Sequence, residues 1–581
     1  MGPDRSQALG VPQFDRHYFA SHERVTQIGS GELGGKASGL ILARQVLDSV
    51  PEFPEIEVGI PRMAVIATGV FDAFLDRNRL LEVACSDLPD DRKAHAFQQG
   101  DLPVEIVGDL RALVEEARVP LAVRSSSLLE DALQHPFAGV YETKMTPNRD
   151  HDAGTRFQRL AEAVKLVWAS TFFRSATSFR VAVGCGEADE KMAVIVQEIV
   201  GSRHDQRFYP VLSGVGRSWN FYTSARARPE EGVVSLALGL GKTIVDGAVC
   251  WTYSPARPAA PPPFASAADR LKGTQAHFWA VNMSKPARYD PLSETEYLIR
   301  ATLADADYDG VLGAVASTYD PQSDRLSPGT ATPGPRVLDF APILVLRELP
   351  LNDLIRALLE VSAAALGEAV EIEFAVDIDR SARPVARVGF LQVRPMMSGA
   401  GETVDLTPAQ WSRSEVLLAS DQALGNGVVD TIRDIVYVLP ETFEAARSRS
   451  IARQVERFNQ ALFGEGRPYL LIGFGRWGSS DPWLGIPVGW DQICGAKVVV
   501  EAMIPAMNVE PSQGAHFFHN LTSFGVLYLT VAEASAWNID WEWLERQEAI
   551  ASTEEVRHVR LAEPLRIEVD GRSGRGVIWH D

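Results

Sequence analysis

Hydrophobic and polar positions recur with two different periods along the chain, which predicts a mixed α/β protein. The run 191–201 (KMAVIVQEIVG) is apolar and β-branched, as is typical of a buried strand. Residues 351–367 (LNDLIRALLEVSAAALG) have helical spacing, with Asn352 placed as N-cap and Gly367 just past the end. Residues 371–378 and 389–397 alternate charged and apolar side chains around the turn DRSARP, so they predict a β-hairpin.

The pattern is interrupted twice and then changes. Stretches rich in Pro, Ser and Ala at 254–269 and 320–336 predict loops rather than packed elements. From about residue 401 we expect helices over 430–463, followed by an aromatic, glycine-rich block at 466–528. A chain of 581 residues is too long for one core, so several domains are expected.

Composition narrows the class of protein. A net charge of −20 argues against non-specific nucleic-acid binding, which needs a basic surface. No run of eighteen apolar residues predicts a membrane span, and the N-terminus lacks the pattern of a secretory signal. The four cysteines have no CxxC spacing and are interpreted as thiols in a reducing compartment. We therefore expect a cytoplasmic protein.

Two glycine-flanked lysines come close to phosphate-loop motifs without matching them. In LALGLGKTIVDG (236–247), the first glycine of a P-loop would fall at Leu236. In GSGELGGKAS, Ser30 stands at that position and Ala37 replaces the hydroxyl that would bind Mg²⁺. Lys36 and Lys242 therefore need another explanation.

The predicted hairpin carries candidate metal and phosphate ligands. Residues two apart on a strand share a face, so Glu371 and Glu373 point together, as do Gln392 and Arg394. Carboxylates beside an amide oxygen suit Mg²⁺, and an adjacent guanidinium suits phosphate oxygens. The alternative is a solvated sheet face with cross-strand ion pairs.

A second candidate lies in PLAVRSSSLLEDALQHPFAGVYET (120–143). Arg124 ends an apolar strand and precedes three serines, an arrangement that can bind anionic oxygen. Gly139 lies in a flexible loop that could close over phosphates. An ordinary capped turn explains the serines equally well, and Lys36 alone fits a surface loop.

Taken together and in order, these motifs resemble the nucleotide-binding domain of pyruvate phosphate dikinase and phosphoenolpyruvate synthase, also found in rifampicin phosphotransferase. The resemblance covers about residues 20–400. It implies an ATP-grasp fold of α/β (α+β) class, split over two lobes with a boundary near 200–250. Residues 1–19 would then be an N-terminal extension, and 401–581 an additional mixed α/β domain.

The resemblance also implies roles for single residues. Lys36 and Arg124 would bind ATP phosphates, with Gly139 in the loop over them. Gln197 and Glu198 in VQEIV would border the adenine. The implied Mg²⁺ ligands are Glu371 or Glu373 together with Gln392, and Arg394 would neutralise charge during transfer.

The segment around Lys242 departs from the resemblance. GLGKTIVDG is similar to a Gly-Leu-Gly-Glu segment of the family, with lysine in place of the usual glutamate. The reversed charge could weaken Mg²⁺ binding or recruit an anionic acceptor, and the sequence leaves both open.

The C-terminal region offers a second, unfamiliar set of candidates. We find no phosphohistidine signature of the Gly-Gly-x-Thr-Ser/Cys-His type, and some 180 residues cannot hold a TIM barrel of about 250. A loop with Arg476, Ser479, Ser480 and Asp481 could bind an anion. His516 could accept a phosphoryl group, as could His519 three residues on. The alternative is a structural turn and two packed histidines, and Trp477, Trp483 and Trp490 are expected in the core.

These observations predict an ATP- and Mg²⁺-dependent phosphotransferase with Arg124, Arg394 and His516 as catalytic candidates. The acceptor would be a small molecule, an internal histidine or another protein, with no nucleic acid or membrane involved. An ATP-grasp ligase acting through an acyl phosphate and a silent ATP sensor are the rival hypotheses.

Overall fold

The computed structural model describes residues 10–16, 23–130, 139–183, 190–221, 228–260, 266–286, 288–396, 404, 406, 415–479, 481–504, 517, 520–521, 524–531, 539–571 and 573–580. Contacts divide the chain into two compact units. The first unit comprises Met1–Trp219, Glu230–Ile244 and Val249–Met396. The second unit comprises Asn220–Pro229, Val245–Ala248 and Met397–Asp581.

The described part of the first unit contains four β-sheets. Its strands are, in chain order, β1 (Val25–Ile28), β2 (Ile56–Gly59), β3 (Met63–Ile66), β4 (Leu121–Ser127), β5 (Thr143–Thr146), β6 (Met192–Glu198), β7 (Ser202–His204), β8 (Arg207–Tyr209), β9 (Leu212–Arg217), β10 (Val233–Ala237), β11 (Trp251–Tyr253), β12 (His277–Asn282), β13 (Leu298–Thr302), β14 (Ala316–Asp320), β15 (Arg325–Pro328), β16 (Arg336–Leu338), β17 (Val370–Ile378) and β18 (Ala386–Pro395).

Helices are interspersed with these strands. They are α1 (Gly34–Leu47), α2 (Thr68–Asn78), α3 (Leu81–Ala84), α4 (Asp90–Gln99), α5 (Val104–Glu116), α6 (Ala153–Ser170), α7 (Arg174–Val183), α8 (Lys242–Val245), α9 (Ala267–Lys272), α10 (Leu303–Tyr308), α11 (Ala341–Leu344) and α12 (Leu351–Leu366). The mixed α/β class expected from the sequence is confirmed.

A five-stranded sheet has the order β1-β3-β6-β4-β5. The predicted strand at 191–201 is β6, and its residues Met192 to Gln197 are all buried. An apolar run without alternation is what a strand covered on both faces requires. β4 pairs antiparallel with β6, so the Arg-Ser-Ser-Ser segment lies beside the VQEIV segment.

A six-stranded sheet has the order β11-β10-β9-β17-β18-β2. β17 and β18 form the predicted hairpin, in which Glu371 pairs with Arg394 and Glu373 with Gln392. The register shifts between Glu373 and Phe374, which marks an irregularity in the ladder beside the charged residues. Sheets of four strands (β13-β12-β8-β7) and three strands (β15-β14-β16) complete the unit.

Helix α12 packs on this sheet and confirms most of the prediction for 351–367. Leu351, Leu354, Ile355 and Leu358 are buried at helical spacing in one core cluster with the apolar residues of β17 and β18. Gly367 ends the helix in the left-handed region with φ 74°. The predicted N-cap was wrong, because Pro350 precedes the helix and Asn352 instead donates to the Pro255 carbonyl.

The two predicted loops contain regular elements. Residues 320–336 include β15, which pairs with β14, and residues 254–269 include the start of α9. The prediction of loops from Pro, Ser and Ala was therefore wrong for β15 and for the first residues of α9.

The described part of the second unit contains sheets of four, seven and two strands. Its strands are β19 (Val416–Ser420), β20 (Gln422–Leu424), β21 (Asn426–Val429), β22 (Asp434–Val438), β23 (Tyr469–Phe474), β24 (Arg476–Trp477), β25 (Gly485–Ile486), β26 (Ala496–Ala502), β27 (Leu527–Val531), β28 (Ala549–Ser552), β29 (Val556–Arg560), β30 (Arg566–Asp570) and β31 (Arg575–Trp579). Its helices are α13 (Ser448–Gly464) and α14 (Trp541–Arg546).

The seven-stranded sheet has the order β20-β27-β26-β23-β22-β29-β28, with β22, β23, β26 and β27 all parallel. The expectation of helices throughout 430–463 was wrong for 434–438, which form β22. Ile435 to Val438 are β-branched or aromatic and are all buried. Such residues favour a strand when they pack between neighbouring strands.

The tryptophan prediction held for two residues of three. Trp477 and Trp490 are buried, whereas the Trp483 side chain is exposed. Among the described residues, no helix is long and apolar enough to cross a bilayer.

Candidate functional site

The candidate site centres on Arg124, where β4 of the five-stranded sheet meets the hairpin of the six-stranded sheet. Its guanidinium donates to the Leu391 carbonyl at 2.9 Å and to Gln392 Oε1 at 3.0 Å. Glu373 Oε2 lies 3.7 Å from the same group. The Arg124 and Glu373 side chains are only 13% and 15% exposed, so this cation and anion are largely shielded from solvent.

Strand β6 also contributes a residue to this site. Arg124 also approaches Gln197 Oε1 at 3.4 Å, and Gln197 pairs with Ala122 of β4 across the ladder. Glu198 follows at the end of β6, where burial raises the pKa of its carboxyl group despite the nearby Arg62. The structure therefore brings together Arg124, Gln197, Glu373 and Gln392, which are four of the residues selected from the sequence.

Glu371 lies two residues before Glu373 on β17 and is paired with arginines instead of Arg124. Its Oε1 accepts a hydrogen bond of 2.8 Å from Arg394 Nε, and its Oε2 accepts one of 2.5 Å from Arg217 Nε. All three side chains are 1–2% exposed. A carboxylate held between two guanidinium groups is largely neutralised, so Glu373 is the better placed of the two glutamates to face a metal.

Lys36 lies in the first turn of α1 and contacts the strand residue that follows Arg124. Its ammonium is 2.5 Å from Glu130 Oε1 and 3.4 Å from Ser125 Oγ. Gly139 has φ 64°, a left-handed conformation that suits glycine, and residues 131–138 before it lie outside the described part. The glycine-lysine motif thus contacts the Arg-Ser-Ser-Ser motif, as the sequence interpretation requires.

The structure gives Lys242 a partner that the sequence did not reveal. Its ammonium donates to Glu294 Oε2 at 3.1 Å, and the two side chains are 19% and 33% exposed. Glu142 lies close to both, and its pKa is raised to about 7, first by burial and then by Glu294, while Lys242 lowers it. Glu142 could have been suspected from its place in FAGVYET, whereas nothing in the sequence marks Glu294.

In the second unit, the predicted anion loop follows β23. Arg476 donates to the Gly247 carbonyl at 3.1 Å, and Ser479 contacts Asp481 within the turn. Ser480, His516 and His519 lie outside the described residues, so His516 as phosphoryl acceptor stays a prediction.

Sequence reasoning missed Glu501 at the carboxyl end of β26. It accepts a hydrogen bond of 2.9 Å from the Trp477 backbone N–H and is 1% exposed. Burial raises its pKa to about 7. Its only sequence signal is one charge in the apolar run VVVEAM.

Metal binding rests on few groups. Within the described residues, no group of three or more His, Cys, Asp or Glu side chains could hold a metal ion. Mg²⁺ is commonly bound by one or two carboxylates together with substrate phosphates. Glu373 offers such a carboxylate, and Gln392 offers an amide oxygen beside it. The oxygens present are thus compatible with Mg²⁺ delivered with a nucleotide.

Comparison with known families identifies the first unit. The family described as pyruvate phosphate dikinase, AMP/ATP-binding domain, matches residues 30–415, which is more than half of the chain.

Curated relatives match over shorter segments. A phosphoenolpyruvate synthase of Aeropyrum pernix is 32% identical over 136 residues, which is 23% of this chain and 14% of that protein. A probable phosphoenolpyruvate synthase of Archaeoglobus fulgidus is 33% identical over 142 residues, or 24% of this chain and 16% of that protein. An uncharacterized phosphotransferase, YvkC, of Bacillus subtilis is 29% identical over 220 residues, or 38% and 23%. Each match spans less than a quarter of the relative's length.

Proposed function

Because the chain belongs to the pyruvate phosphate dikinase AMP/ATP-binding domain family, a family of ATP-binding phosphotransferases, we propose that it transfers a phosphoryl group from Mg-ATP. The nucleotide would bind in an ATP-grasp cleft between the five- and six-stranded sheets of the first unit. The mixed α/β architecture and its sheet order are consistent with that fold.

Arg124 carries the proposal. It is a cation on the five-stranded sheet whose guanidinium contacts the Leu391 carbonyl, Gln392 and Glu373 of the six-stranded sheet. Phosphoryl transfer depends mainly on cations fixed around the phosphate oxygens, so a guanidinium held by both sheets is the expected catalytic feature.

The other residues surround this centre. Lys36 would contact a phosphate from the first turn of α1, and Gly139 would allow the preceding loop to approach the phosphates. Gln197 and Glu198, at the end of β6, would border the adenine. Arg394 would act through Glu371, since it is hydrogen-bonded to that carboxylate.

Mg²⁺ would be held by Glu373 and Gln392, and it would neutralise charge on the transferred phosphoryl group. Arg124 would contact phosphate oxygens while the Leu391 carbonyl keeps its guanidinium in place.

Two rival functions make different predictions. An ATP-grasp ligase would form an acyl phosphate and release ADP and phosphate only with both of its substrates present. A silent sensor would bind ATP without turnover. Lys242 is the sequence feature that most favours the sensor, because it reverses a charge usual in the family, but the ion pair with Glu294 offsets that charge.

Incubation of the full chain with ATP labelled at the β or γ phosphate distinguishes these functions. A phosphotransferase of the dikinase type yields AMP, and label retained on the protein but lost in His516→Ala would make that histidine the acceptor. AMP without labelled protein indicates a diffusible acceptor. Unchanged ATP with every acceptor tested, despite saturable binding, would contradict the proposal in favour of the sensor.

A further inference from the structure

Glu130 and Lys36 form a buried ion pair beside the proposed phosphate site. Lys36 Nζ lies 2.5 Å from Glu130 Oε1, with the two side chains 9% and 3% exposed. A buried ammonium without a counter-charge is costly, so the position of Lys36 depends on this carboxylate.

The Glu130 carboxylate is fixed independently of Lys36. Its Oε1 accepts from Ser125 Oγ at 3.0 Å, and its Oε2 accepts from the Ser127 backbone N–H at 3.2 Å. The Glu130 backbone N–H in turn donates to Ser127 Oγ at 3.0 Å. Two of the three serines after Arg124 therefore hold a glutamate in place.

The backbone that carries Lys36 is fixed to the same segment. The Ala37 N–H donates to Ser126 Oγ at 2.9 Å, and Ser126 Oγ donates to the Leu33 carbonyl at 2.7 Å. A Cβ at Gly34 would lie 1.8 Å from the Ser126 carbonyl oxygen, and one at Gly35 would lie 1.6 Å from that of Glu130. The paired glycines let α1 approach the end of β4 this closely.

The lysine retains capacity for a ligand in this arrangement. An ammonium has three N–H donors, and Glu130 and Ser125 engage two of them among the described residues. The third donor can serve a phosphate oxygen while Glu130 keeps the side chain extended.

We propose that Glu130 is a positioning residue for nucleotide binding, which holds the Lys36 ammonium where it meets a phosphate of Mg-ATP. The inference rests on the proposed function, because it requires Lys36 to contact the nucleotide. Glu130 itself touches no substrate in this account and acts only through Lys36.

A double-mutant cycle tests the proposal, with Mg-ATP affinity measured by titration calorimetry on the full chain. Glu130→Gln is expected to weaken binding by at least about tenfold, and Lys36→Met by at least as much. Because Glu130 acts through Lys36, adding Glu130→Gln to Lys36→Met should weaken binding no further. A purely structural glutamate would give the same loss in both backgrounds.

Asp309→Asn is the matched control. The Asp309 side chain is 3% exposed, like that of Glu130, and it pairs with Arg207 at 2.7 Å and accepts a hydrogen bond from Tyr209 at 2.7 Å. This variant should bind Mg-ATP within about threefold of the unmutated chain, because the loss of a buried carboxylate elsewhere in the core does not move Lys36. Glu130→Asp, which keeps the charge but shortens the side chain, replaces Glu130→Gln in the cycle if Glu130→Gln does not fold.

Mg-ATP affinity unchanged in a folded Glu130 variant, or lowered equally with and without Lys36, would overturn the inference. An unmutated chain that binds no Mg-ATP would instead refute the proposed function. The two failures are therefore distinguishable.

Discussion

At the scale of single residues, the site is organised by charges that already have partners. Arg124 is held by Glu373 and Gln392, Arg394 by Glu371, and Lys36 by Glu130. Lys36 and Arg124, the two cations proposed to meet a phosphate, are thus held in place by other side chains of the protein, which lowers the reorganisation needed during transfer.

The sequence identified most of these residues, but not that they pair with one another or, for Lys36, with Glu130. Arg124, Glu373 and Gln392 could be selected because strand periodicity and the resemblance agree on them. Glu294 could not, because it meets Lys242 only through the fold and lies 52 residues away along the chain. Contacts between distant segments leave no local pattern.

Lys242→Glu tests the charge cluster around Glu142. The new carboxylate would lie near Glu294 and Glu142, so we expect the free energy of unfolding to fall by about 1–2 kcal/mol at pH 7.5. Added salt should reduce the loss, because these side chains are partly exposed. Urea unfolding at low and high ionic strength measures both effects.

Lys272→Glu is the control for that substitution. Lys272 also pairs with a carboxylate, Asp269, but the lysine side chain is 79% exposed. A destabilisation as large as that of Lys242→Glu would show that repulsion from Glu142 and Glu294 does not cause the loss.

At the scale of elements, the joint between α1 and β4 depends on the absence of side chains. Gly35→Ala places a Cβ 1.6 Å from the Glu130 carbonyl oxygen, so the helix or the turn must move. We expect a loss of about 3 kcal/mol in the free energy of unfolding. Gly59→Ala, whose Cβ would meet no atom within 4 Å, should change it by less than about 0.5 kcal/mol. Equal effects in denaturant unfolding would refute this explanation of the paired glycines.

The hairpin depends equally on Glu371. Glu371→Gln leaves two buried guanidinium groups without their anion, which should cost about 3–5 kcal/mol of stability. Denaturant unfolding of this variant should be compared with that of Glu348→Gln. Glu348 pairs with Arg380 on the surface, where such pairs contribute less than about 1 kcal/mol. A mild effect at Glu371 would mean that the arginines find other acceptors.

Elements were predictable where one physical cause dominated. The hairpin at 371–397 was predictable because charged and apolar side chains alternate along both strands, and the end of α12 was predictable from Gly367. β22 was misassigned because an apolar run that is buried in a sheet has no period of its own. Asn352 was wrongly predicted as the cap because its side chain donates to the carbonyl of Pro255, which is distant in the sequence.

At the scale of the whole molecule, the family match covers residues 30–415 and so extends past Met396, the last residue of the first unit. The fold class of the first unit could be predicted because several different motifs of the family occur in the family's order along some 380 residues. The second unit offered no such series, so its parallel sheet and Glu501 emerged only from the structure.

Glu501 predicts a pH dependence for the stability of the second unit. Its folded-state pKa of about 7 exceeds the ordinary value of 4.5, so the folded unit binds more protons than the unfolded chain between these values. The free energy of unfolding should therefore fall as the pH rises from about 4.5 to 7, by about 3 kcal/mol from this group.

Unfolding midpoints followed by tryptophan fluorescence between pH 4.5 and 8 measure this dependence. Glu501→Gln should flatten the profile, whereas Glu563→Gln, at a side chain that is 72% exposed, should leave it unchanged. A profile that Glu501→Gln does not alter would show that this carboxylate titrates normally.

The central claim is that Arg124 organises a Mg-ATP site, and titration calorimetry with Mg-ATP tests it most directly. We expect saturable binding of one nucleotide per chain. Arg124→Ala should weaken it by about 3 kcal/mol, or roughly a hundredfold. Arg387→Ala removes a 64% exposed arginine from β18, the hairpin strand that carries Gln392, and should leave the affinity unchanged. Binding by Arg124→Ala as tight as that of the unmutated chain would contradict the account.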